Sequence, residues 1–143
     1  MSAKDTIKIL LVEDNPGDSL IIREMLKETE YTQFKLTHSP KLIDGLKNLE
    51  ENKFDIVIVD LNLPDSEGLE TFLKILSKHP ELPIIILTGL SDEETGIDAV
   101  KQGAQDYLVK GEFNGKLLVR SINYAIERKG LEGLFSYHIN RDE

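Results

Sequence analysis

The sequence predicts an α/β domain built on one parallel sheet with helices on both faces. Three observations carry this reading. Five short apolar runs alternate with segments of helical periodicity. Two of the runs, Ile56–Asp60 (IVIVD) and Ile84–Thr88 (IIILT), are apolar almost throughout, the pattern of strands covered on both sides. The chain has 143 residues, the length of one domain at ~100–200 residues each. A sheet of this kind takes right-handed crossovers and binds ligands outside the carboxyl ends of its strands.

Each element has its own signal. Ile7–Val12 (IKILLV) is the first strand. Asn15 caps the helix that follows and Pro16 suits its first position; Ile21/Met25 and Ile22/Leu26 are i,i+4 pairs running to about Glu28. Phe34–His38 is a short second strand. Ser39-Pro40 repeats the cap-plus-proline signal before a helix carrying Leu42, Leu46 and Leu49. Ile56–Asp60 is the third strand, and Pro64–Gly68 reads as a loop. Leu69, Phe72, Leu73 and Leu76 then give a core-facing helical stripe, stopped by His79-Pro80-Glu81-Leu82-Pro83. Ile84–Thr88 is the fourth strand. Ser91 and Glu94 have capping-box spacing and open a helix with Ile97 and Val100. Tyr107–Lys110 (YLVK) is the last strand; Leu118, Ile122 and Ala125 mark the final helix. From Gly130 the pattern dissolves, so residues 1–129 read as the domain and 130–143 as a C-terminal tail or linker. Its apolar residues Leu134, Phe135, Tyr137 and Ile139 are open to three uses: packing back, self-association into a homodimer, or starting a coiled linker.

Composition narrows the function. The formal charge is −9 and no Lys/Arg block offsets it, so direct nucleic-acid binding and attachment to anionic membrane are not expected. Cysteine is absent, which excludes disulfides, thiolate catalysis and Cys-based metal sites. The start lacks a signal-peptide apolar region, and a cytoplasmic location is expected.

The chemistry lies in what the strands end with. The first ends Val12-Glu13-Asp14, the third Val59-Asp60, the fourth Leu87-Thr88 and the fifth Val109-Lys110. Three carboxylates, a hydroxyl and an ammonium thus share the edge where such sheets keep their sites. Three close carboxylates repel, and one would hold its proton without a counter-charge. Mg²⁺ relieves that, taking oxygen ligands and keeping several waters. With Lys110 it balances the three acids, so an incoming phosphoryl group meets little net charge. Phosphoryl transfer asks mainly for positioning and charge neutralisation, and a carboxylate can be the nucleophile. Taken singly, these residues have plainer explanations: Glu13-Asp14 a solvated turn, Asp60 a strand-end cap, Thr88 a strand residue, Asn62 a turn residue, Tyr107 edge-strand packing. The constellation is what points to chemistry.

That constellation resembles the response-regulator receiver domain of two-component signalling. The matching pieces are Glu13-Asp14, Asp60-Leu-Asn-Leu-Pro64-Asp-Ser-Glu-Gly68, Thr88-Gly89 and Tyr107-Leu-Val-Lys110, at spacings of 46, 28 and 22 residues between Asp14, Asp60, Thr88 and Lys110. The resemblance covers about Ile7 to Lys129, and the openings ILLVEDNPGD and DYLVKGEF are most similar to stand-alone or sensor-kinase-associated receivers. It implies a flavodoxin-like, doubly wound five-stranded sheet of order 2-1-3-4-5. It implies Asp60 as phosphoacceptor, with Mg²⁺ held by the Asp14 and Asp60 side chains, the Asn62 carbonyl and, through water, Glu13. Lys110 would pair with Asp60 and then with the phosphoryl oxygens. Thr88 would hydrogen-bond the phosphoryl group, and Tyr107 would turn inward as Thr88 moves. The signal would emerge on the face of the helix opened near Ser91, the last strand and the final helix. The implied partners are a sensor histidine kinase or phosphotransfer protein and a downstream protein target, and the implied role is a signalling phosphoacceptor rather than an enzyme. Lys110 is followed by Gly111, where the family usually has a cis proline, so a trans bond is expected here.

Two other classes fit less well. A binding module signalling without phosphorylation would not need Glu13, Asp14, Asp60, Thr88 and Lys110 together. A haloacid-dehalogenase-type hydrolase wants an acid where Asn62 stands, and a flavin site would meet repulsion from Glu13-Asp14.

Overall fold

A computed structural model describes residues 6–29 and 32–141, with side chains through Glu132. The order is β1 (Thr6–Val12), α1 (Pro16–Lys27), β2 (Gln33–Ser39), α2 (Leu42–Glu51), β3 (Ile56–Asp60), β4 (Asn62–Leu63), β5 (Ser66–Glu67), α3 (Leu69–Lys78), β6 (Ile84–Thr88), a single 3₁₀ turn at Leu90–Asp92, α4 (Glu93–Lys101), β7 (Asp106–Val109) and α5 (Gly115–Arg141). β4 and β5, two residues each, pair antiparallel as a hairpin that begins before the expected Pro64–Gly68 loop and ends within it. The remaining five strands make one sheet, β2-β1-β3-β6-β7, parallel at every pairing. Setting the hairpin aside, that is the flavodoxin-like order 2-1-3-4-5.

Strand alternation divides the core in two. Leu10, Val12, Val57, Val59 and Ile86 pack on Leu42, Leu49, Phe72, Ile75 and Ala99 of α2, α3 and α4. Ile9, Leu11, Ile58, Ile85 and Leu87 point the other way, onto Ile22 and Leu26 of α1 and Leu118, Ile122 and Ala125 of α5. β3 and β6 are buried along their whole length, which is why they lack polar alternation. Among the described residues no helix is long and apolar enough to cross a membrane.

Several local expectations need correction. Asn15 does cap α1, its Oδ1 accepting from Asp18 N at 3.0 Å, with Pro16 following. Ser39 does not cap α2: it ends β2, and its hydroxyl accepts from Asn48 Nδ2 at 2.8 Å. The N-terminal N–H groups of α2 go instead to Asp65, from Leu42 N at 2.8 Å and Ile43 N at 2.9 Å. The Ser91/Glu94 box is not formed, because the 3₁₀ turn moves the start of α4 to Glu93, and the N-cap Asp92 makes no capping bond. Leu73 is exposed, and Ile75 takes its place in the α3 core. On α4 it is Gly96 and Ala99 that are buried, while Ile97 and Val100 face outward. α5 remains helical through Arg141, so Gly130, where the apolar pattern ends, does not end the helix. The side chains of Leu134, Phe135, Tyr137 and Ile139 lie outside the described residues.

Candidate phosphoacceptor site

Sheet register gathers the site. Glu13 and Asp14 leave β1, and Glu13 N donates to Ser39 O at 3.0 Å, keeping the acid aligned with the sheet edge. Asp60 is the last residue of β3, paired with Leu87, so Thr88 falls next to it on β6. Lys110 N donates to Thr88 O at 2.8 Å, which brings the lysine level with both. Side chains at the ends of four strands therefore converge without any long loop.

Burial sets their electrostatics. Glu13 is fully buried and Asp60 is 5% exposed. Carboxylate oxygens of Glu13, Asp14 and Asp60 all lie within 4.8 Å of one another. Lys110 Nζ answers them at 2.5 Å from Asp60 Oδ2, 2.9 Å from Glu13 Oε1 and 2.9 Å from Asp18 Oδ2. The contacts to Asp60 and Asp18 are hydrogen bonds, whereas that to Glu13 Oε1 is a charge contact without hydrogen-bond alignment. Burial pushes the Glu13 carboxyl up to about 7, with the Asp60 charge adding to it, against the opposing pull of Lys110. Burial alone would lower Lys110; its contacts with the Asp60, Glu13 and Asp18 carboxylates outweigh that and raise it above the ordinary lysine value. The ammonium is therefore permanent at neutral pH. Asp60 is held from the other side by Asn62 N, which donates to its Oδ1 at 2.9 Å.

Beside Asp60 lies a small cavity of about 50 Å³, lined by Asp60, Asn62, Thr88, Asp92 and Thr95 among others. The Thr88 hydroxyl is buried and has no hydrogen-bond partner. A buried hydroxyl left unpaired costs about 1–3 kcal/mol, which an acceptor within its reach would relieve. Tyr107 stands behind Thr88 on the edge strand. Its ring packs partly into the α4 side of the core, and its hydroxyl points outward, donating to Glu93 Oε2 at 2.7 Å. Gly96 of α4 makes the packing possible: a Cβ there would come within 2.9 Å of Thr88 Cγ2 and 3.1 Å of Tyr107 Cβ. Across the site, Gly68 holds φ +72°, left-handed space that suits glycine, where the hairpin turns into α3. The peptide after Lys110 is trans, and Gly111 takes φ +83°.

The structure thus brings together Glu13, Asp14, Asp60, Thr88 and Lys110, with Asn62 at the cavity mouth and Tyr107 one layer behind. Three contributors were not singled out from sequence. Asp18, in the first turn of α1, is a third carboxylate in contact with Lys110. Asp92 lines the cavity, and Glu93 holds Tyr107. An acid in the first turn of a helix carries an ordinary explanation through the helix dipole, and nothing local in DNPGD or SDEE separates the two roles.

Comparison with known proteins agrees with this geometry. The family model described as "Response regulator receiver domain" matches residues 9–123. The transcriptional regulatory protein ZraR of Escherichia coli K12 is 33% identical over 106 residues, 74% of this chain but only 23% of ZraR. The chemotaxis protein CheY of Listeria monocytogenes is 28% identical over 104 residues, 73% of this chain and 86% of CheY. Among solved structures, a response regulator receiver domain protein from Clostridium thermocellum superposes with a TM-score of 0.76 at 31% identity, covering 87% of this chain and 98% of that one. Strand-end acids, lysine, sheet order and these matches agree, and the chain belongs to the response regulator receiver domain family.

Proposed function

We propose that this chain accepts a phosphoryl group on Asp60 from a sensor histidine kinase or phosphotransfer protein, and passes the event to the face formed by α4, β7 and α5 for a downstream protein or a phosphorelay. The observation that carries the reading is Lys110 Nζ bridging Asp60 and Glu13 next to a cavity lined by Thr88, whose buried hydroxyl has no hydrogen-bond partner.

The residues present fit a divalent cation. Three carboxylates lie within 4.8 Å of one another, and Glu13, raised mainly by burial and further by the Asp60 charge, would be relieved by a second cation there. Asp14 and Asp60 would bind Mg²⁺ by side chain, Asn62 by its carbonyl and Glu13 through water. Bound there, the metal would neutralise charge on the transferring phosphoryl oxygens. The protein supplies the rest. Asp60, its Oδ1 fixed by Asn62 N, offers an oxygen to phosphorus as the bond from phosphorus to the donor breaks. Lys110, already on Asp60, follows the negative charge onto the phosphoryl oxygens. Thr88 donates its hydroxyl to one of them and gains the partner it lacks. Tyr107 then fills the space behind Thr88, leaving Glu93. The chain is in this reading a stoichiometric acceptor that assists its own phosphorylation and dephosphorylation, not a turnover enzyme.

The test is intact-mass analysis after incubation with Mg²⁺ and phosphoramidate, followed by mapping of the acid-labile phosphate. One phosphoryl group on Asp60 is expected, absent in Asp60→Asn and absent when EDTA removes the metal. Labelling at another residue, or none while a control receiver is labelled, would refute the assignment.

A further inference from the structure

Asp92 has no part in the function proposed above, yet it lines the acceptor cavity. It is the N-cap residue of α4, where an aspartate normally accepts from its own helix, but it makes no such bond. The carboxylate reaches across the mouth instead: Asn62 Nδ2 donates to Asp92 Oδ2 at 3.0 Å. Asp92 N donates to Gly89 O at 3.1 Å, which fixes the turn that presents it. The clasp thus joins the loop after β3 to the turn before α4, over the space between Asp60 and Thr88. No Lys or Arg lines this cavity; Lys110 lies on the other flank of Asp60, spent on Glu13, Asp18 and Asp60. Apart from the metal proposed above, a donor entering here meets a second carboxylate and no side-chain cation.

We propose that Asp92 is a specificity-determining residue of the acceptor pocket, disfavouring doubly negative acyl-phosphate donors relative to N-phosphoryl donors. The inference rests on Asp60 being the acceptor. The two donor classes differ in the charge they bring past the clasp. Acetyl phosphate enters as a dianion: a new Asp60 O–P bond forms, the acyl O–P bond breaks, and acetate leaves with its electron pair and no proton. Phosphoramidate enters as a zwitterion of net charge −1: the O–P bond forms, the N–P bond breaks, and the protonated nitrogen leaves as ammonia. A phosphohistidine donor shares the nitrogen link and its cationic character. A carboxylate several ångströms from the path penalises the dianion more, and in a partly solvated mouth one unit of charge corresponds to about three- to tenfold in rate.

The experiment measures initial rates of Asp60 labelling by acetyl phosphate and by phosphoramidate, in Mg²⁺, for the full chain and for Asp92→Asn and Asp92→Ala. Asn keeps an oxygen to accept from Asn62 and removes only the charge. The ratio of acetyl phosphate rate to phosphoramidate rate should rise about three- to tenfold in both variants. Added salt should raise that ratio more in the parent than in the variants. Parent and Asp92→Asn ratios equal at low salt, with both proteins labelled, would overturn the inference and leave the acceptor assignment standing. A parent labelled at Asp60 by neither donor would overturn both. Circular dichroism of the variants keeps a folding defect from passing as an effect on rate, and a ratio changed only in Asp92→Ala would assign the role to the clasp's shape and overturn the charge argument.

Discussion

Lys110 is the one cation in contact with Glu13, Asp18 and Asp60 among the described residues, and its side chain is only 25% exposed. The two sides of this ion cluster are therefore unequal. Removing Lys110 leaves Glu13, fully buried, and Asp60 without a counter-charge; removing the charge of Asp60 leaves Lys110 two other carboxylates and relieves repulsion on Glu13. Breaking one side of a buried pair costs about 3–5 kcal/mol, less here because protonation of Glu13 offers relief. In EDTA, Lys110→Met should lower unfolding free energy by roughly 2–3 kcal/mol, and Asp60→Asn by less than about 1 kcal/mol. Urea unfolding of both variants decides it, and equal losses would show that the cluster is not limited by its cation. The residue scale is also where sequence reading reached furthest. Glu13, Asp14, Asp60, Thr88 and Lys110 were legible because a parallel sheet places all strand C-termini on one edge. Asp18 was not, since its contact with Lys110 spans 92 residues and leaves no local pattern.

The elements show how a cap can be supplied from far away. Ser39-Pro40 looks like the start of α2, yet Ser39 belongs to β2, and the two N–H groups at the helix start are accepted by Asp65, more than 20 residues on. The β4–β5 hairpin, itself invisible in periodicity because each strand is two residues long, presents that carboxylate. Slight burial would raise Asp65, but the N–H groups of Ile43 and Leu42 outweigh it and hold its carboxyl below the ordinary value. A depressed carboxyl stabilises the fold above its unfolded value near 3.8 and loses that contribution as pH falls through the folded one. Asp65→Ala should therefore cost about 1 kcal/mol at pH 7, with parent and variant converging as the pH drops below the usual aspartate range. Urea midpoints at pH 7 and in acid test this; a pH-independent difference would mean that packing, not the cap, is lost. The other misread elements share a physical cause. Leu73, Ile97 and Val100 fit a helical period, but which of two adjacent stripes faces the sheet depends on how the helix is rolled, and that is fixed by partners such as Ile75, Gly96 and Ala99. Gly130 ends an apolar pattern, not a helix, since a glycine inside a helix costs only about 1 kcal/mol.

At the scale of the whole molecule, the two cores are separated by a sheet whose strand ends carry the site, and the route proposed from Asp60 to the partner face runs through β6, β7 and the helix that covers them. α4 is that helix, and it touches the site through a glycine. Gly96 lets Thr88 and Tyr107 share one narrow space, while Glu93, one turn earlier, holds the Tyr107 hydroxyl outward and raises its pKa through that bond. If the proposed route is right, filling the space separates chemistry from output. A Cβ at Gly96 would stand 2.9 Å from Thr88 Cγ2 and 3.1 Å from Tyr107 Cβ and Cδ2, neither of them the free end of a flexible chain. Overpacking of this kind costs about 1–3 kcal/mol, within what a domain of this size tolerates. In Gly96→Ala, Asp60 should still be labelled, because Glu13, Asp14, Asp60 and Lys110 are untouched. The phosphorylation-dependent shift of a ring-labelled Tyr107 in NMR spectra should be reduced or lost, because the ring no longer has the room beside Thr88 that it needs to leave Glu93. A variant labelled at Asp60 with an unchanged Tyr107 response would show that the signal leaves the site by another route, through β7 and the Lys110–Gly111 turn rather than across α4.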